Sequence, residues 1–240
     1  MEIVLDGGGY IDSKGVRHNH VTFDKRLDGA ALFAIDESPM AAVSTQLQLM
    51  TVAATITKFG TLMLPVPLDV LLKLDIEDIK ALRKAHNKFM ADGVGERQVE
   101  FPSNSEVKLA FGYQDNGVTY TRCTFGVRLN GYDLVAADKE GHAEGTMRRE
   151  YFLIGREITG ISTDDGQHKL AGPFDVSLFA KLDVEDFMSL RIAATRWRES
   201  FRSKQPATLP FDAQASSQGS GNLDSSQSPL ESARDTEPAA

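Results

Sequence analysis

The chain repeats itself after about 100 residues, and this duplication limits its fold more than any other feature. The segment TFDKRLDGAALFAID, residues 22–36, recurs as TFGVRLNGYDLVAAD, residues 124–138, at a spacing of 102. KLDIED, residues 73–78, returns as KLDVED, residues 181–186, at a spacing of 108, which indicates a net insertion of six residues before this motif. Solenoid repeats are about 20–50 residues long, whereas a period of about 100 residues corresponds to a small domain. The sequence therefore predicts a tandem duplication of one module.

The predicted fold class is α+β, with two homologous modules in tandem. In each copy the pattern of apolar residues predicts a β-hairpin followed by about three helices. The first module is expected to span residues 1–92 and the second residues 105–202, joined by a linker over residues 93–104. Residues 203–240 are rich in Ser, Gln, Pro, Ala and Gly. Such a segment buries too little apolar surface to offset its ordering entropy, so a disordered polar tail is predicted.

The turns and helices are predicted at matching positions in the two copies. The hairpin turn is IDSKG in the first copy and QDNG in the second, where Asn116-Gly117 is typical of a tight turn. A short helix follows in each copy, over residues 26–35 and 128–137. A longer helix is predicted next, because apolar residues recur at helical spacing: Leu49, Val52, Ile56 and Phe59 in the first copy, and Tyr151, Ile154, Ile158 and Ile161 in the second.

The KLD motif is expected to begin the last helix of each copy. Asp75 and Asp183 are suited to cap this helix, because their side chains can accept bonds from the free N–H groups of the first turn. Asp78 and Asp186 lie in that turn, where negative charge suits the helix dipole. The alternative, acid–base catalysis or metal binding by these carboxylates, is disfavoured because successive residues on a helix do not converge on one point.

Charge and composition argue against several classes of function. The formal net charge is −8, and affinity for nucleic acid depends largely on Lys and Arg, so no nucleic-acid partner is expected. Cys123 is the only cysteine, which excludes an intramolecular disulfide and favours a reducing compartment. The most apolar run, residues 61–72, is broken by Pro65, Pro67 and Asp69, so no membrane association is expected. The sequence predicts a soluble intracellular protein.

The residues that could carry chemistry have simpler structural explanations. His18 and His20 alternate on a predicted strand and could bind a metal from one face, but Tyr120 and Arg122 occupy the matching positions of the second copy. A partly exposed strand face is the favoured interpretation. The glycine run at residues 7–9 lacks the Lys-Ser/Thr pair of a phosphate loop and is expected to form a bulge or turn. The chain is therefore predicted not to be an enzyme, with no catalytic, cofactor-binding or metal-binding residues.

One short cluster in the tail is a candidate partner-binding motif. Leu209, Pro210 and Phe211 are apolar within an otherwise polar segment, and they could dock on a partner. The alternative is that these residues belong to a solvated chain end without a function of its own.

The second copy resembles the small tail assembly chaperones of Mu-like phages and related prophages. That family carries a strand pair, a motif of the form R-x-x-x-x-D-L-L-A-A-D-K, a helix with an LIAR or LTG sequence, and a closing helix with L-D-x-x-D-x-x-x-L. Residues 128–139 match the first motif, residues 154–160 loosely match the second, and residues 182–190 match the third. The first copy matches less well, since Ala31 replaces the Asp of the first motif and Glu37 replaces its Lys.

The resemblance implies a chaperone without catalytic activity. Proteins of this family coat the long, apolar tape measure protein, keep it in solution, and recruit tail tube subunits in the host cytoplasm. The expected partners are therefore the tape measure protein and the tail tube protein. Self-association of the chain is also considered, since each module alone is small and buries a limited fraction of its surface. An alternative function is a structural tail or baseplate adaptor of the virion. A helix-turn-helix regulator is a third interpretation, which the acidic charge disfavours.

Overall fold

The structure, a computed structural model, describes residues 1–202, and these belong to one compact unit. Both helices and strands are abundant, so the predicted α+β class is confirmed. None of the described helices is long and apolar enough to cross a membrane. The predicted tail, residues 203–240, lies outside the described residues.

The first half of the chain forms a small antiparallel sheet and four helices. Its strands are β1 (Glu2–Val4), β2 (Tyr10–Ile11), β3 (Arg17–His18), β4 (His20–Phe23) and β5 (Ile56–Phe59). Its helices are α1 (Gly29–Asp36), α2 (Ser44–Thr55), α3 (Leu68–Leu72) and α4 (Ile76–Val94), with a 3₁₀ turn at Pro39–Ala42. Three strands pair in the order β1-β4-β5, and β2 pairs with β3 as a separate hairpin.

The second half follows the same order with longer strands. Its strands are β6 (Glu100–Ser103), β7 (Glu106–Asp115), β8 (Val118–Phe125), β9 (Ile158–Ser162) and β10 (Lys169–Ala171). Its helices are α5 (Gly131–Lys139), α6 (Met147–Glu157), α7 (Val176–Ala180) and α8 (Val184–Arg202). The five strands form one antiparallel sheet in the order β10-β9-β8-β7-β6.

Residues that match between the copies lie at matching places in the fold. β4 ends at Phe23 and β8 ends at Phe125, and the helices α4 and α8 are each 19 residues long and follow Asp75 and Asp183 directly. The residues inserted in the second copy include β10, which extends the second sheet. Residues 93–104, predicted as a linker, contain the end of α4 and all of β6, so that the irregular connection between the halves is short.

The longer helix predicted in each copy is wrong in its second part. α2 ends at Thr55 and α6 at Glu157, and the chain continues at once into β5 and β9. Ile56 and Ile158 therefore begin strands, although their spacing from the preceding apolar residues suits a helix. β5 pairs with β4 and β9 pairs with β8, so the hydrogen bonds of a sheet edge are available to these β-branched residues. Tertiary pairing overrides the local helical pattern here.

The chain has two hydrophobic cores, and their boundary does not follow the boundary between the copies. The first core is built from the first half alone, around Phe23, Leu49 and Leu82. The second core contains the apolar residues of the second half, including the fully buried thiol of Cys123. It also includes four residues from the first half, all in α1 or just before it: Leu27, Leu32, Phe33 and Ile35.

The last helix of each half has an apolar stripe that faces the core and is less buried at its far end. Leu82 and Leu190 are fully buried at equivalent positions. Two turns further along these helices, Phe89 and Trp197 are only half-buried. The indole N–H of Trp197 donates to the carbonyl of Val127 at 3.1 Å, which ties the end of α8 to the segment before α5.

Candidate partner-binding surfaces

The first aspartate of each KLD motif caps the last helix, as predicted. The Asp75 carboxylate accepts a hydrogen bond from the Glu77 N–H at 2.7 Å, and the Asp183 carboxylate accepts one from the Glu185 N–H at 3.0 Å. Both bonds satisfy a donor of the first helical turn that has no partner within the helix. The two copies therefore start this helix by the same local chemistry.

The second aspartate of each motif has a role that its position in the first turn did not reveal. Asp186 is buried, and its carboxylate accepts three backbone N–H bonds, at 2.6–2.9 Å, from Ala110, Phe111 and Gly112 of β7. Asp78 is also buried, and its carboxylate accepts N–H bonds from Gly7 and Gly9, at 2.8 and 2.9 Å. This carboxylate fastens the last helix to the loop between β1 and β2 in the first half and to β7 in the second half.

The glycines at these anchor points are required by backbone geometry. Gly9 and Gly112 have φ values of +67° and +75°, a region that favours glycine, and a Cβ at either position would collide with the neighbouring strand. At Gly112 the pairing of β7 with β8 shifts register, as in a β-bulge. The predicted bulge or turn at residues 7–9 is thus part of the same anchor. A Gly directly before Tyr10 and before Tyr113 was the sequence signal that links the two sites.

Burial shifts the protonation equilibria of several groups in the second half. Desolvation raises the pKa of Asp186, and the three backbone N–H donors oppose that rise. Burial raises the pKa of Glu157 as well, while its ion pair with Arg198 favours the charged form. The pKa values of the Cys123 thiol and the Tyr151 hydroxyl are also raised by burial. These groups are enclosed in the core or bonded to backbone N–H groups or to Arg198, so they contribute to the packing of the second half.

His18 and His20 do not share a face, so that prediction is wrong. His18 ends β3 and is buried, with its Nε2 at 3.3 Å from an Asp12 carboxylate oxygen and its Nδ1 facing Thr61. His20 begins β4 and is exposed. The two residues belong to different sheets, because His18 pairs with Tyr10 in the β2–β3 hairpin and His20 pairs with Val4 of β1. Within residues 1–202, no group of three or more His, Cys, Asp or Glu side chains is arranged to hold a metal ion.

An ion pair joins the two halves next to the second KLD motif. The Arg26 guanidinium donates to both oxygens of Asp183, with Nε at 2.6 Å and Nη2 at 3.1 Å, and also to the carbonyl of Met90. The guanidinium carbon of Arg26 lies 4.8 Å from the centre of the Phe111 ring, within the range of a cation–π contact. Both charged side chains are mostly buried, so the pair is shielded from solvent.

Exposed apolar side chains define the surfaces that are available to a partner. One set, which we call the strip, comprises Met40 in the 3₁₀ turn, Val43 at the extended junction before α2, and Leu47 near the start of α2. A second set lies on α5 and a third at α3 and the start of α4: Tyr132, Leu134 and Val135, then Leu72 and Ile76. The predicted docking motif of the tail, Leu209, Pro210 and Phe211, lies outside the described residues.

Comparison of the chain with protein-family models, with curated proteins and with solved structures gives no match.

Proposed function

We propose that this protein is a tail assembly chaperone of a Mu-like phage or prophage, which acts in the host cytoplasm without catalytic activity. The observation that carries the proposal is the exposed strip of Met40, Val43 and Leu47 on an acidic protein that also carries the family-like motifs. Single exposed apolar residues are ordinary, whereas three exposed apolar side chains within eight residues give a partner an apolar surface.

The strip is specific to the first half, which separates it from the shared architecture of the two copies. At a spacing of 102, the matching residues of the second half are His142, Gly145 and Arg149. There Arg149 forms an ion pair with Asp138 and donates to the carbonyl of His142, so that surface is polar and internally bonded. The first half therefore presents an apolar face that the duplication alone does not require.

An amphipathic segment of the tape measure protein would fit this face. Recognition of that kind places apolar anchors, spaced three or four residues apart, against an apolar helical surface. The net charge of −8 would then keep the complex dispersed, because like-charged complexes repel each other. Tail tube subunits would be recruited by the second partner-binding element, the tail motif Leu209, Pro210 and Phe211.

Co-expression with the tape measure protein tests the proposal. The wild-type chain should move an otherwise insoluble tape measure protein into the soluble fraction, and Val43→Glu with Leu47→Glu should abolish this effect. Met63→Glu is the matched control, because Met63 is exposed but lies outside the strip. If the double variant solubilises the tape measure protein as well as the control does, the strip is not the binding surface.

Mass spectrometry of mature particles separates a chaperone from a structural tail or baseplate adaptor. A chaperone leaves before the tail is complete, so purified particles should contain none of this chain. Its presence there in stoichiometric amount would overturn the proposed function. Deleting residues 203–240 should preserve tape measure solubility and abolish tube capture in a pull-down, because only the second activity is assigned to the tail.

A further inference from the structure

Helix α1 is docked on the second half of the chain. It packs against α2 of its own half and also against α6, α7 and α8. The ring of Phe33 lies edge-on to Tyr151, with ring centres 5.8 Å apart, and to Phe187, with ring centres 5.3 Å apart. At Gly29 a side chain would collide with the carbonyl of Phe179, so the start of α1 approaches α7 closely. This is an interface between two homologous modules within one chain.

Polar contacts fix the start of this helix on the second KLD motif. The Arg26–Asp183 ion pair is one of them. Two backbone hydrogen bonds, both 2.9 Å long, form the others: from the Gly29 N–H to the Leu182 carbonyl, and from the Val184 N–H to the Leu27 carbonyl. The docking therefore has a defined register as well as an apolar contact.

Helix α5 is the counterpart of α1, but its equivalent face is exposed. Leu134 and Val135 occupy the positions of Leu32 and Phe33, and they are 48 % and 49 % exposed, whereas Leu32 and Phe33 are buried. α5 packs against α6 just as α1 packs against α2. What differs is the next module, because the duplicated motifs occur twice and are not repeated in residues 203–240. The face of α5 thus matches the docked face of α1, but it is exposed among residues 1–202.

The ion-pairing residue of the interface is likewise repeated. Arg128 corresponds to Arg26, is exposed, and lies over the ring of Phe201 at 4.0 Å. Among the described residues it has no carboxylate partner. Asp75 of the first half corresponds to Asp183 and is exposed. It caps α4, but among the described residues it forms no ion pair with an arginine. The second half therefore carries an arginine, and the first half an aspartate, that could form this ion pair between two copies.

The first half also repeats the apolar part of the receiving site. Leu72 and Ile76 correspond to Ala180 and Val184 of the occupied site, and they are 45 % and 61 % exposed. Ile79, which corresponds to Phe187, is half-buried, whereas Leu49, which corresponds to Tyr151, is fully buried in the first core, so an incoming Val135 would meet Leu72, Ile76 and Ile79. At Val135 and Ile79 the aromatic residues of the occupied interface, Phe33 and Phe187, are replaced by smaller aliphatic ones.

We propose that this surface is occupied by a second copy of the chain. Helix α5 of one copy docks on α3 and α4 of the next, and Arg128 pairs with Asp75, as α1 docks within the chain. The two surfaces are different, so the contact is heterologous and leaves a free α5 and a free receiving site at the ends. Further copies can add until a ring closes or a filament forms. This inference does not rest on the proposed function.

The test measures the mass of the purified full-length chain by sedimentation over a range of concentrations. The wild-type mass should rise with concentration, and Val135→Glu and Ile76→Glu should each remove that rise. Ile192→Glu is the matched control, because Ile192 is 49 % exposed on α8 and lies outside both surfaces. It should behave as the wild-type chain does. Thermal unfolding of the variants checks that all of them are folded.

Mixing the two variants distinguishes a head-to-tail contact from a symmetric one. Val135→Glu keeps an intact receiving site and Ile76→Glu keeps an intact α5, so one copy of each should form a dimer that cannot grow. A symmetric contact through either surface would give no such mixed dimer. A wild-type chain that stays monomeric at its highest soluble concentration, or a mixture that stays monomeric, would overturn the proposal. Because no tape measure protein is present, failure here leaves the proposed function untouched.

Discussion

The two halves of the chain carry the same order of elements, but their cores differ where a neighbouring module is bound. Around α1 the second core is aromatic, with Tyr151 and Phe187 stacked at a centroid distance of 3.7 Å. The matching residues of the first core, Leu49 and Ile79, are aliphatic. Both halves keep the same aspartate anchor and the same helix cap. The aromatic residues at the contact between modules thus differ between the halves, whereas the aspartate contacts within each module are kept.

The largest expected effect comes from truncating the residues at matching positions of α1 and α5 to alanine. Phe33→Ala should lower the free energy of unfolding by about 3–5 kcal/mol, because it opens a cavity among aromatic rings of the second core. Val135→Ala, at the equivalent position of α5, should change it by less than about 0.5 kcal/mol, since this side chain is half-exposed. Denaturant unfolding measures both. Equal losses would show that α1 and α5 are not in different environments.

The aspartate anchors should be costly in both halves, and more so in the second. Asp186→Ala leaves three backbone N–H groups without their acceptor, and Asp78→Ala leaves two. A buried donor without a partner costs about 1–3 kcal/mol, so we expect losses of about 3 kcal/mol, larger for Asp186→Ala. Asp186→Asn, which keeps one acceptor oxygen, should lose less in the same unfolding measurement. A negligible loss for Asp186→Ala would contradict the anchoring role.

The capping aspartates should differ because only one of them also binds an arginine. Asp75→Ala should cost about 1 kcal/mol through the lost cap. Asp183→Ala loses an equivalent cap and leaves the mostly buried Arg26 without its partner, so it should cost at least about 2 kcal/mol. A double-mutant cycle with Arg26→Ala isolates the second contribution. If the cycle shows no coupling energy, the ion pair contributes nothing to the contact between the halves.

The smallest expected difference is a pH effect confined to the first half. His86 is half-buried, with its Nδ1 at 2.9 Å from the Thr55 hydroxyl, and burial lowers its pKa. The matching residue of the second half is Ala194, which does not titrate. A lowered pKa means that the folded state binds fewer protons than the unfolded state. The stability linked to His86 is therefore fully present above the ordinary histidine pKa of about 6.5. It is lost as the pH falls from there through the lower pKa of the folded state.

His86→Gln should reduce this dependence, since glutamine cannot gain the charge but can still bond to Thr55. The measurement compares the free energy of unfolding of both proteins at pH 7 and at lower pH. Only the difference between them is assigned to His86, because the carboxylates titrate in both.

The sequence predicted the repeated parts of this fold and missed the contacts made across the chain. Helix caps at Asp75 and Asp183 follow from local chemistry, so they could be predicted from a few neighbouring residues. The roles of Asp78 and Asp186 depend on glycines about 70 residues away, and no local pattern encodes such a partner. The position of α1 could not be predicted either, because Leu32 and Leu134 look alike in sequence while one is buried and the other exposed. Burial of Leu32 is decided by the contacts that α1 makes with α6, α7 and α8, which lie far away in the sequence.

The single cysteine makes the second half separately observable. Cys123 lies buried in β8, and thiol reagents react with the exposed thiolate, so labelling requires that this core opens. The first half contains no cysteine and is silent in such an experiment. When the core recloses faster than the reagent reacts, the labelling rate is proportional to the open population and reports its free energy. Labelling of Cys123 in the wild-type chain thus measures the opening of the second core without any substitution.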